Sequence, residues 1–182
     1  AIGHYERMLA TRKAEVVALT EPSRKSLKRF YEHCPGADEL PLYKDYRDML
    51  KGEELDGVVV LSPHTLHYEQ INTALGRGLH VLTEKPMVCT IRRAKALIRK
   101  AKAAERVLMI SYQRHFEPTF RYMREQVASG ALGKVEFVQA IQSQEWLRLT
   151  RRTWRQDPDL SGGGQLNDSG SHLIDILLWM TG

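Results

Sequence analysis

The sequence predicts an α/β fold in which a doubly wound parallel sheet gives way, near residue 133, to the start of a second unit with a sheet of its own. Three observations predict it. Short apolar runs rich in β-branched residues alternate with stretches of helical periodicity. Strand, helix and strand follow one another through short links, the arrangement that makes the strands parallel and the crossover right-handed. After Gly133 the alternation stops, and a long, partly alternating stretch takes its place.

In chain order, Ile2, Tyr5, Met8 and Leu9 give a short helical pattern, and Glu15 to Thr20 reads as a strand ending at Glu21. A helix follows with Pro22 near its start and Leu27, Phe30 and Tyr31 along it, then a shorter one over Tyr43 to Leu50. Val58-Val59-Val60-Leu61 has the character of a buried strand. Ser62-Pro63-His64-Thr65 breaks it, and Leu66 to Arg77 carries Leu66, Ile71, Ala74 and Leu75 at helical spacing. Gly78 closes that helix, as a glycine just past a C-terminus does. Leu79 to Thr83 is the next strand and runs directly into Glu84-Lys85-Pro86. Ile91, Ala94, Leu97, Ile98 and Ala101 then mark an amphipathic helix, Val107 to Ser111 a strand, and Pro118 to Ser129 a helix closed by Gly130. Lys134 to Gln144 is predicted as a strand of a different sheet. Irregular chain from Trp146 to Leu160, the cluster Gly162-Gly163-Gly164 and a helix over Gln165 to Thr181 complete the pattern. The domain boundary falls between residues 1–118 and 119–182.

The 182 residues are 42% apolar and 27% charged, as in an ordinary soluble globular protein. No apolar run reaches the length of a membrane span, and Ala1 to Arg7 lacks the apolar core of a signal peptide. Cys34 and Cys89 are too few for a disulfide framework or a zinc site, so a reducing cytoplasm fits best. The net charge of +5 raises the possibility of nucleic acid. Much of it, however, lies at Arg92, Arg93, Lys95, Arg99, Lys100, Lys102 and Arg106, the solvent face of one helix with no nucleic-acid motif beside it. No nucleic-acid or membrane partner is expected.

Three constellations can carry chemistry. Glu21 stands 18 positions after Gly3, near the spacing between a dinucleotide-binding turn and the acid that takes the ribose hydroxyls, although the earlier glycines and the first strand of that fingerprint are missing. Lys85 sits between an acid and a proline at a strand end, where ligands of open parallel sheets bind. It is either a surface lysine paired with Glu84 or an ammonium that bonds a substrate hydroxyl and stabilises developing negative charge. Asp168 and His172 are four apart on a helix and share a face. A histidine accepts a proton near neutral pH and a carboxylate neighbour raises its basicity, but the same pair also suits a plain helix surface. No third ligand stands at a spacing that would suggest a metal. Trp146, Trp154 and the arginines Arg148, Arg151, Arg152 and Arg155 form a loop that either stacks on a sugar ring and meets an acidic group, or simply packs and solvates its own residues.

Taken together, these residues resemble the glucose-fructose oxidoreductase, inositol dehydrogenase and rhizopine-catabolism (Gfo/Idh/MocA) family. The segments that carry the likeness are Leu55 to Pro63 with His67, Gly78 to Pro86, Tyr112 to Pro118, Gly130 to Val135 and Gly162 to His172. The resemblance implies a Rossmann-type parallel sheet followed by the start of an α+β domain whose sheet is mostly antiparallel. It also implies that the first strand and most of the second domain lie outside these 182 residues. It assigns NAD to the fold, with NADP also possible: Ile2 and Gly3 resemble the end of the glycine-rich loop, and Glu21 the acid that favours NAD, while Arg24 is placed to meet a 2′-phosphate. Ser62, Pro63, His67, Glu84 and Gln113 resemble contacts around the nicotinamide ribose. Lys85, Asp168 and His172 match the catalytic trio: His172 takes the hydroxyl proton, Asp168 orients His172, and Lys85 binds the reacting oxygen as well as bordering the cofactor. His115 stands where the family often has a second arginine.

The expected function is hydride transfer between NAD(P) and a secondary alcohol of a sugar, sugar derivative or cyclitol, with Trp146, Arg152 and Trp154 as substrate contacts and a dimer or tetramer as the assembly. Two other classes fit the same residues: an NAD-dependent glycoside hydrolase using transient oxidation, and a non-catalytic nucleotide-binding regulator.

Overall fold

Residues 1–182 are all described by the computed structural model, in two units, Ala1–Asp56 and Gly57–Gly182. In the first unit, helix α1 (Ile2–Thr11) buries Tyr5, whose ring meets Phe30 of α2 (Arg24–His33) edge-on at 5.4 Å. Cys34 and Ala37 complete this small core. Strand β1 is only Leu19–Thr20, paired in parallel with β2 (Leu42–Tyr43). The strand expected over Glu15 to Thr20 thus narrows to its last two residues, the only ones with a neighbour to complete the ladder. Asp45 caps α3 (Tyr46–Gly52) by accepting from the Arg47 amide, so the helix begins three residues later than its pattern suggests.

The second unit is built on three parallel strands in the order β3 (Gly57–Val60), β4 (His80–Thr83) and β5 (Leu108–Ile110). Helices α4 (His67–Gly76) and α5 (Ile91–Ala103) make the crossovers. Val60, Ile71, Ala74, Leu75, Val81, Leu97 and Ala101 form one core between sheet and helices. On α5 the apolar stripe is narrower than the periodicity suggests: Leu97 is fully buried, but Ile91 is 76% and Ile98 56% exposed. Register decides where the site lies. Val60 pairs with Thr83 and Thr83 with Ile110, so the three strands end level. The Glu84 amide still donates to Val60 (2.9 Å) and the Ser111 amide to Thr83 (2.9 Å). The turns after β3 and β4 therefore emerge side by side, with Lys85-Pro86 as a cis peptide in the second.

Helix α6 (Pro118–Ala128) begins on its proline as expected. The strand predicted over Lys134 to Gln144 does not form. Its backbone would need a hydrogen-bonded neighbour, and no strand of the chain runs beside it. Phe137 and Ile141 are 80% and 82% exposed. Three short helices follow, α7 (Trp146–Thr150), α8 (Pro158–Ser161) and α9 (Gln165–Asp168), then α10 (Gly170–Thr181). The single helix expected over Gln165 to Thr181 is therefore two, meeting at Ser169. No helix is long and apolar enough to cross a membrane, and no group of His, Cys, Asp or Glu is placed to hold a metal ion.

Gly162 ends α8 at φ 65°, and an added Cβ would press on the Cys89 side chain. Gly162→Ala is expected to lower stability by about 1–2 kcal/mol or more, the left-handed conformation alone accounting for that much. Denaturant unfolding of the two forms checks it.

Candidate active site

Everything at the level end of β3, β4 and β5 converges on one carboxylate. Asp168, at the end of α9, has a side chain only 7% exposed, and Lys85 beside it is 11% exposed. Lys85 Nζ donates to Asp168 Oδ1 at 2.6 Å and to its backbone oxygen at 2.8 Å. The other oxygen, Oδ2, accepts from Trp146 Nε1 and from Arg155 Nε, each at 3.0 Å. Burial alone would push the Asp168 carboxyl up. The Lys85 and Trp146 hydrogen bonds and the Lys85 and Arg155 charges outweigh it and hold the group at about 2. Lys85 is thus paired with Asp168, and its own amide donates to Glu84 Oε2 at 3.2 Å.

His172, on the first turns of α10, stands edge-on to Tyr112 at 5.8 Å, and its Nδ1 is buried with no hydrogen-bond partner. The expected Asp168–His172 hydrogen bond is absent, because Lys85, Trp146 and Arg155 already occupy the carboxylate. Nor is the histidine made more basic. Burial, then the positive charges of Lys85 and Arg114, lower it from 6.5 to about 4, against weaker pulls from Glu84 and Asp168. His172 is therefore neutral at pH 7, with a lone pair free to accept a proton.

The turn after β3 and the start of α4 hold two buried histidines, whereas His172 is half-buried. His67 is fully buried, with Nδ1 3.0 Å from the Pro86 oxygen and Nε2 2.8 Å from the Ser62 oxygen. The neutral ring donates to one of these two carbonyls and lies against the other, so His67 ties the two turns together. His64, which the sequence reading passed over, is 3% exposed; its Nε2 lies 3.7 Å from Asp168 Oδ1 and its ring meets Trp154 edge-on at 4.7 Å. Burial lowers its pKa to about 4.

Other expected contacts divide in the same way. Ser62 donates to Gln70 Oε1 at 2.6 Å, with Pro63 next to it at the strand end. Gln113 is exposed in the turn after β5. In the first unit, Gly3 lies in the opening turn of α1, Ile2 begins it, Glu21 follows β1 and accepts from the Ser23 amide at 2.8 Å, and Arg24 begins α2. Of the proposed substrate contacts, Trp146 bonds the Asp168 carboxylate and Trp154 packs on His64 beneath the Arg155 guanidinium, 4.3 Å from its ring centre. Arg152 is exposed at φ 59°, and Arg155 is the arginine that reaches the site. His115 bonds Asp175 (2.7 Å) and stacks on Trp179 at 4.5 Å. An open cleft of about 640 Å³ is lined by Tyr112, Asn167, Ser171 and Asp175 with an apolar wall of Leu166 and Ile174.

The buried histidines make stability depend on pH. His64 and His172 titrate near 4 in the folded chain against 6.5 when unfolded, and His67 is lowered in the same sense. Below 6.5 the unfolded chain binds protons that the folded chain refuses until about 4. Stability is therefore complete above that window and falls as pH drops through it. Melting temperatures taken in steps across the window are expected to fall steadily; a flat profile there would contradict the burial of these rings.

Comparison with known proteins gives a consistent outcome. Residues 2–112 match the model described as the oxidoreductase family with an NAD-binding Rossmann fold, and residues 120–182 match that of the GFO/IDH/MocA C-terminal domain. A D-xylose 1-dehydrogenase [NADP(+)] of Haloarcula marismortui is 32% identical over 73% of this chain and 38% of its own length. The D-glucoside 3-dehydrogenase of Escherichia coli is 32% identical over 78% of this chain and 40% of its own. The crystal structure of an aldose-aldose oxidoreductase from Caulobacter crescentus, complexed with glycerol, superposes with a TM-score of 0.70 at 27% identity, over 92% of this chain and 50% of that one. The chain thus spans half or less of the length of these relatives.

Proposed function

The chain belongs to the Gfo/Idh/MocA oxidoreductase family, and from that premise we propose that the protein transfers a hydride between NAD(P) and a secondary alcohol of a sugar, sugar derivative or cyclitol. One observation carries this reading: a buried Lys85–Asp168 pair at the carboxyl ends of parallel strands, with an unpartnered, neutral His172 in its field. Lys85 holds the reacting oxygen and stabilises the negative charge that develops on it. His172 accepts the hydroxyl proton, and its low basicity keeps it unprotonated across the neutral range. Asp168 fixes the Lys85 ammonium in place. The family likeness assigns dinucleotide contacts to Ile2, Gly3, Glu21 and Arg24 in the first unit and, separately, to Ser62, Pro63, His67, Glu84, Lys85 and Gln113 in the second. The level strand ends suit such a ligand, since Ser62-Pro63 and Glu84-Lys85 leave the sheet side by side at its carboxyl end. When bound, the nicotinamide supplies the hydride acceptor. Residues 1–118 serve the cofactor and 119–182 begin the substrate domain, in a cytoplasmic dimer or tetramer.

The test is a panel of sugars and cyclitols with NAD and with NADP, read by nicotinamide absorbance. Net reduction is the expected result, with NAD bound more tightly than NADP because Glu21 repels a 2′-phosphate. Sugar release without net reduction would favour a glycosidase instead. Cofactor binding with no turnover on any substrate would favour a regulator.

A further inference from the structure

The turn after β3 does more than end a strand. Helix α8 ends at Ser161, and a helix leaves its last carbonyls without partners of their own. Two residues of the turn after β3, 94 to 97 positions away in sequence, supply most of them. His64 Nδ1 donates to the Ser161 oxygen at 3.0 Å, and Asn167 joins it on the same oxygen at 3.2 Å. The Thr65 hydroxyl donates to the Asp159 oxygen at 2.8 Å and lies 3.1 Å from that of Leu160. The His64 ring also packs against Trp154, and the Arg155 guanidinium lies over the other aromatic partner of that contact, its Nε on Asp168. A carbonyl only accepts, so the proton of the neutral ring is on Nδ1 and its Nε2 turns a lone pair towards Asp168 Oδ1, at 3.7 Å, beyond hydrogen-bond reach. Lys85 keeps that oxygen to itself.

We propose that His64 is a positioning residue. It fastens the segment carrying Trp154 and Arg155 to the turn after β3, and through Arg155 it holds Asp168 where Asp168 clamps Lys85. Turn, loop and carboxylate then move as one body. The consequence for turnover rests on the dehydrogenase reading above, but the clamp itself does not, and its test uses neither substrate nor cofactor.

That test is chemical: acetylation of lysines by acetic anhydride under limiting conditions, read residue by residue by mass spectrometry. Lys100 is the internal reference, since it is anchored elsewhere in the same unit, on the Asn72 oxygens at 2.6 and 2.8 Å. In His64→Ala, labelling of Lys85 is expected to rise about tenfold while Lys100 stays constant, the scale set by losing one buried hydrogen bond. His64→Asn, which keeps an N–H donor close to the Nδ1 position, is expected to return Lys85 to within roughly twofold of the parent. Unchanged Lys85 labelling in His64→Ala, or an asparagine variant as reactive as the alanine one, overturns the proposal. Should Lys100 rise together with Lys85, the loss is general unfolding, and the milder Thr65→Val decides. A selective rise at Lys85 in that variant upholds the clamp, and no rise overturns it.

Discussion

Replacing Asp168 with alanine will destabilise the folded chain by about 3–5 kcal/mol, the cost of removing one partner of a buried ion pair. The reason lies in what remains. The Lys85 side chain is 11% exposed and would keep only the Asp168 backbone oxygen as an acceptor. Trp146 would lose the acceptor of its indole N–H, which has no other use for that bond. Arg155, at 38% exposure, can turn to water and adds little to the loss. Asp168→Asn keeps an acceptor but not the charge, so its effect should fall between the two. All three tryptophans, Trp146, Trp154 and Trp179, lie in the second unit, so denaturant unfolding followed by tryptophan fluorescence reads the transition where the pair sits. A loss below about 1 kcal/mol, the scale of an exposed pair, would mean that Lys85 and Asp168 reach water far more than the structure allows.

The second large effect separates activity from stability. His172→Ala is expected to lower kcat by about 10²–10⁴, the contribution of a positioned acid–base group, while the dissociation constant for the dinucleotide stays close to that of the parent. Stability should change little. A buried nitrogen without a partner costs about 1–3 kcal/mol, and removing it offsets the cavity that alanine leaves. Most buried histidines lose both function and fold when truncated; here the ring is held by packing against Tyr112 and by no bond through Nδ1. Steady-state kinetics beside thermal melts test it. A large fall in melting temperature together with unchanged kcat would assign His172 to the core.

The parallel sheet was legible because its signals are local and strong: Val58 to Val60, Leu79 to Thr83 and Leu108 to Ile110 are apolar runs closed by turn residues, and each is a paired strand over most of its length. Lys134 to Gln144 misled because alternation describes which residues could face a core, whereas a strand also needs a neighbour. The positions of Lys85, Asp168 and His172 were readable from motif order, but their connections were not. Helical spacing put Asp168 and His172 on one face without revealing that three better donors, two of them from the 146–155 segment, had already taken the carboxylate. His67 was readable by type and place, but its burial between the Ser62 and Pro86 carbonyls was not. His64 carried one readable sign, a second histidine in a turn as short as Ser62 to His67. Arg155 had none, being one of four arginines in a polar stretch.

An ammonium carries three N–H bonds, and two of those on Lys85 are already committed to Asp168. A single vacancy is left, and only an atom with a lone pair can fill it. An alcohol oxygen qualifies, and so does the carbonyl oxygen that the alcohol becomes on oxidation. On the proposed dehydrogenase reading, the same anchor would serve both members of the redox couple and disfavour neither direction. A protonated amine at the same carbon would have no lone pair to offer and would meet a like charge, so the site would take a hydroxyl in preference to an amino substituent there.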